Sequence, residues 1–214
     1  MAILKGYDDK FRGKLNGYTI YDLNGQVIKR SVGVRVQPFS ELQIANQRAM
    51  ADMTAVLKPV KEFLEVGFEH EGKAARQSAY NKAYSINYHQ AFTGDHPNKS
   101  IDFKKMVFSK GKMLQTKDLS ATLDKLGILF TWNPDLTATS FKANDQVMFM
   151  VYFPERQFGV YQLSGVRRPA GEQLLILPEA NRPVVAETYI SFISANHKAI
   201  SNSTYVGQFI WQSL

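Results

Sequence analysis

Four histidines, His70, His89, His96 and His197, are the first places to look for a general base or a metal ligand. Glu69-His70-Glu71 is an acidic stretch, His89 follows Tyr88 in a helix-like run, His96 stands in Gly94-Asp95-His96-Pro97, and His197 lies between two strand-like segments. No two of them have the i, i+4 spacing that puts both imidazoles on one helix face, and none falls into a two-histidine-plus-carboxylate grouping. Each reads as a solvated or capping histidine. The one grouping with cation-binding chemistry is Asp95 and His96 with Glu69 or Glu71 at helix ends. Ser164-Gly165 lacks the preceding glycine of a nucleophile elbow. Gly111-Lys112 is followed by Met113 and not by the Ser or Thr of a phosphate loop. The carboxylate pairs Asp8-Asp9, Glu69/Glu71 and Asp135/Asp145 fall in loop-like stretches, where acids are usually solvated. With no cysteine there is no thiol nucleophile, no disulfide and no cysteine–zinc site. The expectation is a protein that is not an enzyme, with no catalytic residue, no cofactor and no metal.

The 214 residues carry a formal charge of +7, and it is unevenly spread. Residues 1–110 hold 17 basic and 11 acidic side chains, against 9 and 8 in residues 111–214. In the first 36 residues Lys5, Lys10, Arg12, Lys14, Lys29, Arg30 and Arg35 face only three aspartates, with Tyr7, Phe11, Tyr18 and Tyr21 among them. Basic residues interleaved with aromatics can hold phosphates and stack bases, so Lys10, Arg12, Lys14, Lys29, Arg30 and Arg35 are the candidate nucleic-acid contacts. The plainer reading is ordinary surface charge with the aromatics facing a core.

The elements that must position these residues come in two textures. Tyr18 to Leu23 and Gln26 to Arg30, joined by Asn24-Gly25, read as a β-hairpin. After Pro38, Ser40 is placed as a helix N-cap with Gln43 as its capping-box partner and Phe39 stapling onto Ile44. Leu42, Ala45, Ala49, Met53, Val56, Val60, Leu64 and Phe68 share one helical face, and Pro59 should break the run into 40–57 and 58–69. A further helix is expected over 73–92, ending at Gly94 and Pro97, and then a strand over 101–109. From about Leu114 short apolar runs appear at 127–132, 146–153, 158–163, 173–177, 188–194 and 204–211, separated by Pro, Gly and Asn. That pattern indicates an antiparallel sandwich or barrel.

At Phe130-Thr-Trp-Asn-Pro-Asp, Val151-Tyr152-Phe153 and Tyr189-Ile-Ser-Phe-Ile-Ser-Ala-Asn the chain resembles a fibronectin type III-like or immunoglobulin-like sandwich over roughly residues 115–212. The resemblance implies a core built on the Trp and Tyr residues and a tyrosine corner, and it is nearly silent on function. The whole chain also resembles an uncharacterised bacterial family known only as a domain of unknown function. That likeness is carried by Met1-Ala-Ile-Leu-Lys-Gly, Gly13-Lys-Leu-Asn-Gly, Leu57-Lys-Pro-Val-Lys-Glu-Phe-Leu and the stretch from Phe192 to Gly207.

The expected architecture is therefore α+β, with a basic hairpin-plus-helices region over 1–112 and an immunoglobulin-like β-sandwich over 113–214. Val147 to Phe153 is seven consecutive apolar residues, so both faces of that strand need cover, from the helical half or from another subunit. On the second reading Phe149, Tyr152, Phe209 and Trp211 are the interface candidates. No apolar run approaches a membrane span and the N-terminal stretch has no signal-peptide core, so cytoplasmic synthesis is expected, with the final location open. The function these features suggest is a non-catalytic structural or interaction protein that self-associates or joins a larger assembly, a virion component being one example. Its partners would be copies of itself or other subunits, and no small-molecule ligand is implied. Alternatives are a nucleic-acid-associated protein using the basic N-terminal region, and a carbohydrate-binding module or enzyme using exposed aromatics.

Overall fold

The computed structural model describes residues 2–3, 11–23, 25–34, 36–95, 97–134 and 142–213. The chain divides into two compact units, Met1–Ser40 and Glu41–Leu214. The first is an antiparallel sheet of β1 (Ala2–Ile3), β2 (Gly13–Leu15), β3 (Tyr18–Leu23) and β4 (Gln26–Ser31) in the order β1-β4-β3-β2. Leu23 pairs with Gln26, leaving the expected two-residue turn, in which Gly25 has φ +79°. A second tight turn joins β2 to β3, where Asn16 and Gly17 have φ +46° and +76°. Two successive positive φ values are what a type I′ turn demands, and Asn-Gly meets them at least cost.

In the second unit α1 (Glu41–Leu57) begins at the residue after Ser40, and its run of helix ends before Pro59, as the proline requires. α2 (Lys61–Gly67) and α3 (Glu69–Ala74) follow in place of one segment over 58–69. Of the eight residues expected on the shared apolar face, seven are buried and Leu42 is 64% exposed. α4 covers Ala79–Gln90 and not 73–92: Ser78 caps it by accepting from the Asn81 amide at 3.1 Å, and Arg76 turns the chain with φ +53°. Its end is clipped by a two-residue ladder between β5 (Phe92–Thr93) and β6 (Ser100–Ile101).

The strand expected over 101–109 stops at Ile101. Asp102 accepts from the Lys104 amide at 3.0 Å and draws residues 103–105 into a 3-10 turn. Beyond it, side chains stand in for a neighbouring strand. The fully buried Asn87 accepts from Val107 N (2.8 Å) and donates to Val107 O (2.7 Å), while Ser203 Oγ accepts from Phe108 N (2.8 Å).

The remaining strands form two antiparallel sheets. β7 (Ser120–Leu123), β8 (Gly127–Thr131) and β11 (Glu172–Ile176) are ordered β11-β8-β7; β9 (Gln146–Phe153), β10 (Phe158–Gln162), β12 (Val184–Ile193) and β13 (Thr204–Trp211) are ordered β10-β9-β12-β13. Their inner faces meet in one core containing Ile128, Phe130, Trp132, Phe149, Val151, Ile190, Phe192 and Trp211. This is the expected sandwich, and the molecule is α+β with a mostly β C-terminal part. A second core lies on the other face of the four-stranded sheet, where Met148, Met150, Tyr152, Tyr189 and Ile193 pack with Met53, Leu57, Phe63, Leu64 and Phe68. Strict alternation along β9 divides its seven apolar residues between the two cores, and the helices supply the cover. Residues 112 and 113 fall inside this one compact unit.

Tyr189 is not a tyrosine corner. It faces the helical core, and its hydroxyl donates to Phe103 O (2.7 Å) on the 3-10 turn, 86 residues away. An ion pair is enclosed in the sandwich: Arg168 lies over the Phe192 ring at 4.1 Å, with Asp145 Oδ2 3.5 Å from its Nε, Thr116 Oγ1 accepting from its Nη1, and its carbonyl accepting from the Trp132 indole (2.6 Å). No helix among the described residues is long and apolar enough to cross a membrane.

Candidate functional site

The basic residues singled out near the N-terminus do not form one patch. Register places Lys14 and Arg30 on either side of Thr19 on one face, around a concavity of about 360 Å³ that Tyr21 also lines. Lys29 is on the opposite face, its Nζ 4.2 Å from the Tyr18 ring centre. Arg12 is held by Asp22 through two bonds of 2.7 and 2.9 Å, and this guanidinium holds the Asp22 carboxyl below its ordinary range. Lys10 and Arg35 lie outside the described residues.

Of the four aromatic interface candidates, Phe149 and Trp211 are interior to the sandwich core and Tyr152 to the helical core, while Phe209 is half-buried. His96 and Asp135 lie outside the described residues. Among the described residues no three His, Asp or Glu side chains gather at metal-binding distance. His70 Nε2 meets the His197 carbonyl oxygen at 3.0 Å, which requires that nitrogen to carry the proton, and Glu69 is paired with Lys73 at 2.5 Å.

A larger polar cavity lies elsewhere, between the end of α4, the 103–110 segment and the start of β13. It measures about 560 Å³, within the range of small-molecule sites, and its lining includes Gln90, Lys104, Lys110, Gln115, Asn202 and Tyr205. Each wall is fixed from behind. Gln90 Nε2 donates to Lys105 O (3.2 Å), tying α4 to the 3-10 turn. Gly67, where a Cβ would stand 2.3 Å from Phe108 O, lets residues 108–110 lie against α2, and Lys110 N donates to Gly67 O (2.9 Å). Residues 201–203 are clasped to 108–111 by Ser109 Oγ donating to Ser201 O (3.0 Å), Ser203 N to Ser109 O (2.9 Å) and Gly111 N to Asn202 Oδ1 (3.1 Å).

Tyr205, on the lining, adjoins a bulge. Thr188 pairs with Gly207 but Tyr189 pairs with Tyr205, so Val206 has no opposite and Tyr205 and Gln208, three apart, reach the same buried Glu187. Glu187 accepts from Tyr205 Oη (2.8 Å) and Gln208 Nε2 (2.7 Å). Burial, then this bond and the carboxylate charge, push the Tyr205 hydroxyl far above its ordinary range, so it stays a donor to Glu187 at any physiological pH. The cavity thus offers amides, hydroxyls, an aromatic ring and two ammonium groups, and its chemistry is that of binding. Sequence reasoning passed over it, although five lysines with one aspartate in residues 99–112 were there to be counted.

The model of a family described as a family of unknown function (DUF6266) matches residues 19–207. A search of curated proteins finds no match to the chain.

Proposed function

The chain belongs to the DUF6266 family, of unknown function, and from that premise we propose that it is a non-catalytic interaction protein that self-associates through the outer face of its three-stranded sheet. The observation that carries this reading is the contrast between the two sheets. The outer face of the four-stranded sheet is covered by helices, with Met148, Met150 and Tyr152 buried there. On the outer face of the other sheet Leu129 and Leu174 form a pair that is only partly covered, next to Ile176, 67% exposed, and Leu126 in the adjoining turn, 61% exposed. Apolar side chains grouped on one sheet face are the kind of surface that a second copy can cover by a two-fold, self-complementary contact.

Light scattering across a hundredfold range of concentration tests it. The expected result is a mass that rises above 24.2 kDa with concentration in the unaltered chain and stays at that of one chain in a Leu126→Asp, Ile176→Asp double variant with unchanged circular dichroism. A monomer throughout for the unaltered chain overturns the proposal.

Nucleic-acid binding is the second reading, supported by Lys14, Arg30 and Tyr21 sharing one concave face. It requires binding to single-stranded DNA that weakens steeply with salt and is lost in a Lys14→Ala, Arg30→Ala variant. Binding indifferent to salt rejects it.

A further inference from the structure

We infer that the cavity between α4, residues 103–110 and β13 is a binding site for a small, polyhydroxylated anion, a sugar carrying a carboxylate or phosphate group. Several walls present polar atoms that the fold itself leaves unused. Among the described residues Lys104 Nζ and Lys110 Nζ have no carboxylate within 4.0 Å and no hydrogen-bond partner, whereas neighbouring Lys105 is paired with Asp102 at 3.4 Å. Gln90 and Gln115 each spend the side-chain nitrogen on a backbone carbonyl, of Lys105 and Asn202 respectively, and leave the carbonyl oxygen to accept. Asn202 does the opposite: its oxygen takes Gly111 N, and its nitrogen remains to donate.

This combination selects a class of ligand. Amide oxygens and an amide nitrogen held in place by their other ends are matched by hydroxyl groups, each of which donates and accepts. Two ammonium groups without an internal partner are matched by an anion. The Tyr205 ring gives an apolar surface of the kind that a sugar ring can lie against, and its hydroxyl is already turned inward to Glu187. The two acids near the cavity do not cancel the site. Asp102 is paired with Lys105, and Glu187 is 2% exposed behind the tyrosine with both oxygens accepting hydrogen bonds. The backbone of the walls is fixed independently of any ligand, so the ordering that binding requires falls chiefly on the two lysine side chains.

Isothermal titration of the full chain with galacturonic acid oligomers, with glucose 6-phosphate and with neutral maltose tests the inference. Saturable binding of either anionic probe, at least tenfold tighter than maltose, supports it, and the stronger of the two identifies the anion. In a Lys104→Ala, Lys110→Ala variant that binding should fall at least tenfold, with an unchanged melting temperature because neither ammonium is used by the fold. Raising the salt concentration should weaken it, since both groups reach solvent. No saturable heat with either anion, equal or tighter binding of maltose, or full binding by the double variant overturns the assignment. None of these outcomes depends on whether the chain self-associates.

Discussion

Arg168 brings several side chains of the sandwich interior together. Its guanidinium is fully buried, faces Asp145 and Thr116 and rests on Phe192, while its backbone carbonyl receives the Trp132 indole. Replacing it with methionine keeps much of the volume and strands the Asp145 carboxylate, whose Oδ1 already has no partner among the described residues. The expected cost is about 3–5 kcal/mol in chemical denaturation, with part of it recovered when Asp145→Leu is added, because both charges are then gone. The tyrosines report on the same protein from the alkaline side. Burial pushes the Tyr152 hydroxyl up to about 12, and Tyr189 and Tyr205 are raised as well. A raised pKa means that the unfolded chain ionises first. The stability these groups hold is complete below about pH 10, the ordinary tyrosine value, and falls as pH climbs toward the folded value. Melting temperature followed from pH 9 to 12 should decline less steeply for Tyr152→Phe than for the unaltered chain, while the two differ little at pH 7. Parallel curves would show that Tyr152 does not ionise selectively on unfolding.

At the scale of elements, the sequence was most legible where local chemistry and burial agree. The hairpin turn between Leu23 and Gln26, Pro59 and the apolar runs of β9 and β13 are such places, and β9 and β13 have the bounds expected. It was least legible where distant side chains replace backbone partners. Residues 106–108 look like a strand because they are apolar, yet the backbone bonds of Val107 and Phe108 go to the side chains of Asn87 and Ser203, and no local pattern announces that. β7 is short and mostly exposed, so it offers almost no alternation to read. The cavity was missed for a related reason: its lining comes from residues 86–115 and 202–205, which only the folded chain brings together. Asn87→Ala tests the substitution of a side chain for a strand. It orphans the amide and carbonyl of Val107 against the buried side of α4, and the expected loss is about 2–4 kcal/mol. Amide exchange at Val107 should accelerate more than at β9; equal acceleration would mean that the bond to Asn87 is not what holds the segment.

For the whole molecule, both apolar cores are assembled from residues of the Glu41–Leu214 unit. A chain starting at Glu41 is therefore expected to keep a single cooperative calorimetric transition within a few degrees of the full chain. A broad or missing transition would show that the first 40 residues contribute to the fold of the rest.

The doubly covered strand β9 also has a meaning in time. Protein chains emerge in order, so α1 to α4 are complete at Gln90 while the strand that seals their apolar side starts only at Gln146. At about 5–20 residues per second this gap lasts on the order of 3–11 s, during which Met53, Leu57, Phe63 and Phe68 lack their eventual cover from Met148, Met150 and Tyr152. The nascent helices must spend those seconds packed on one another or held by a ribosome-associated chaperone, which makes this interval the point in the life of the protein most exposed to aggregation.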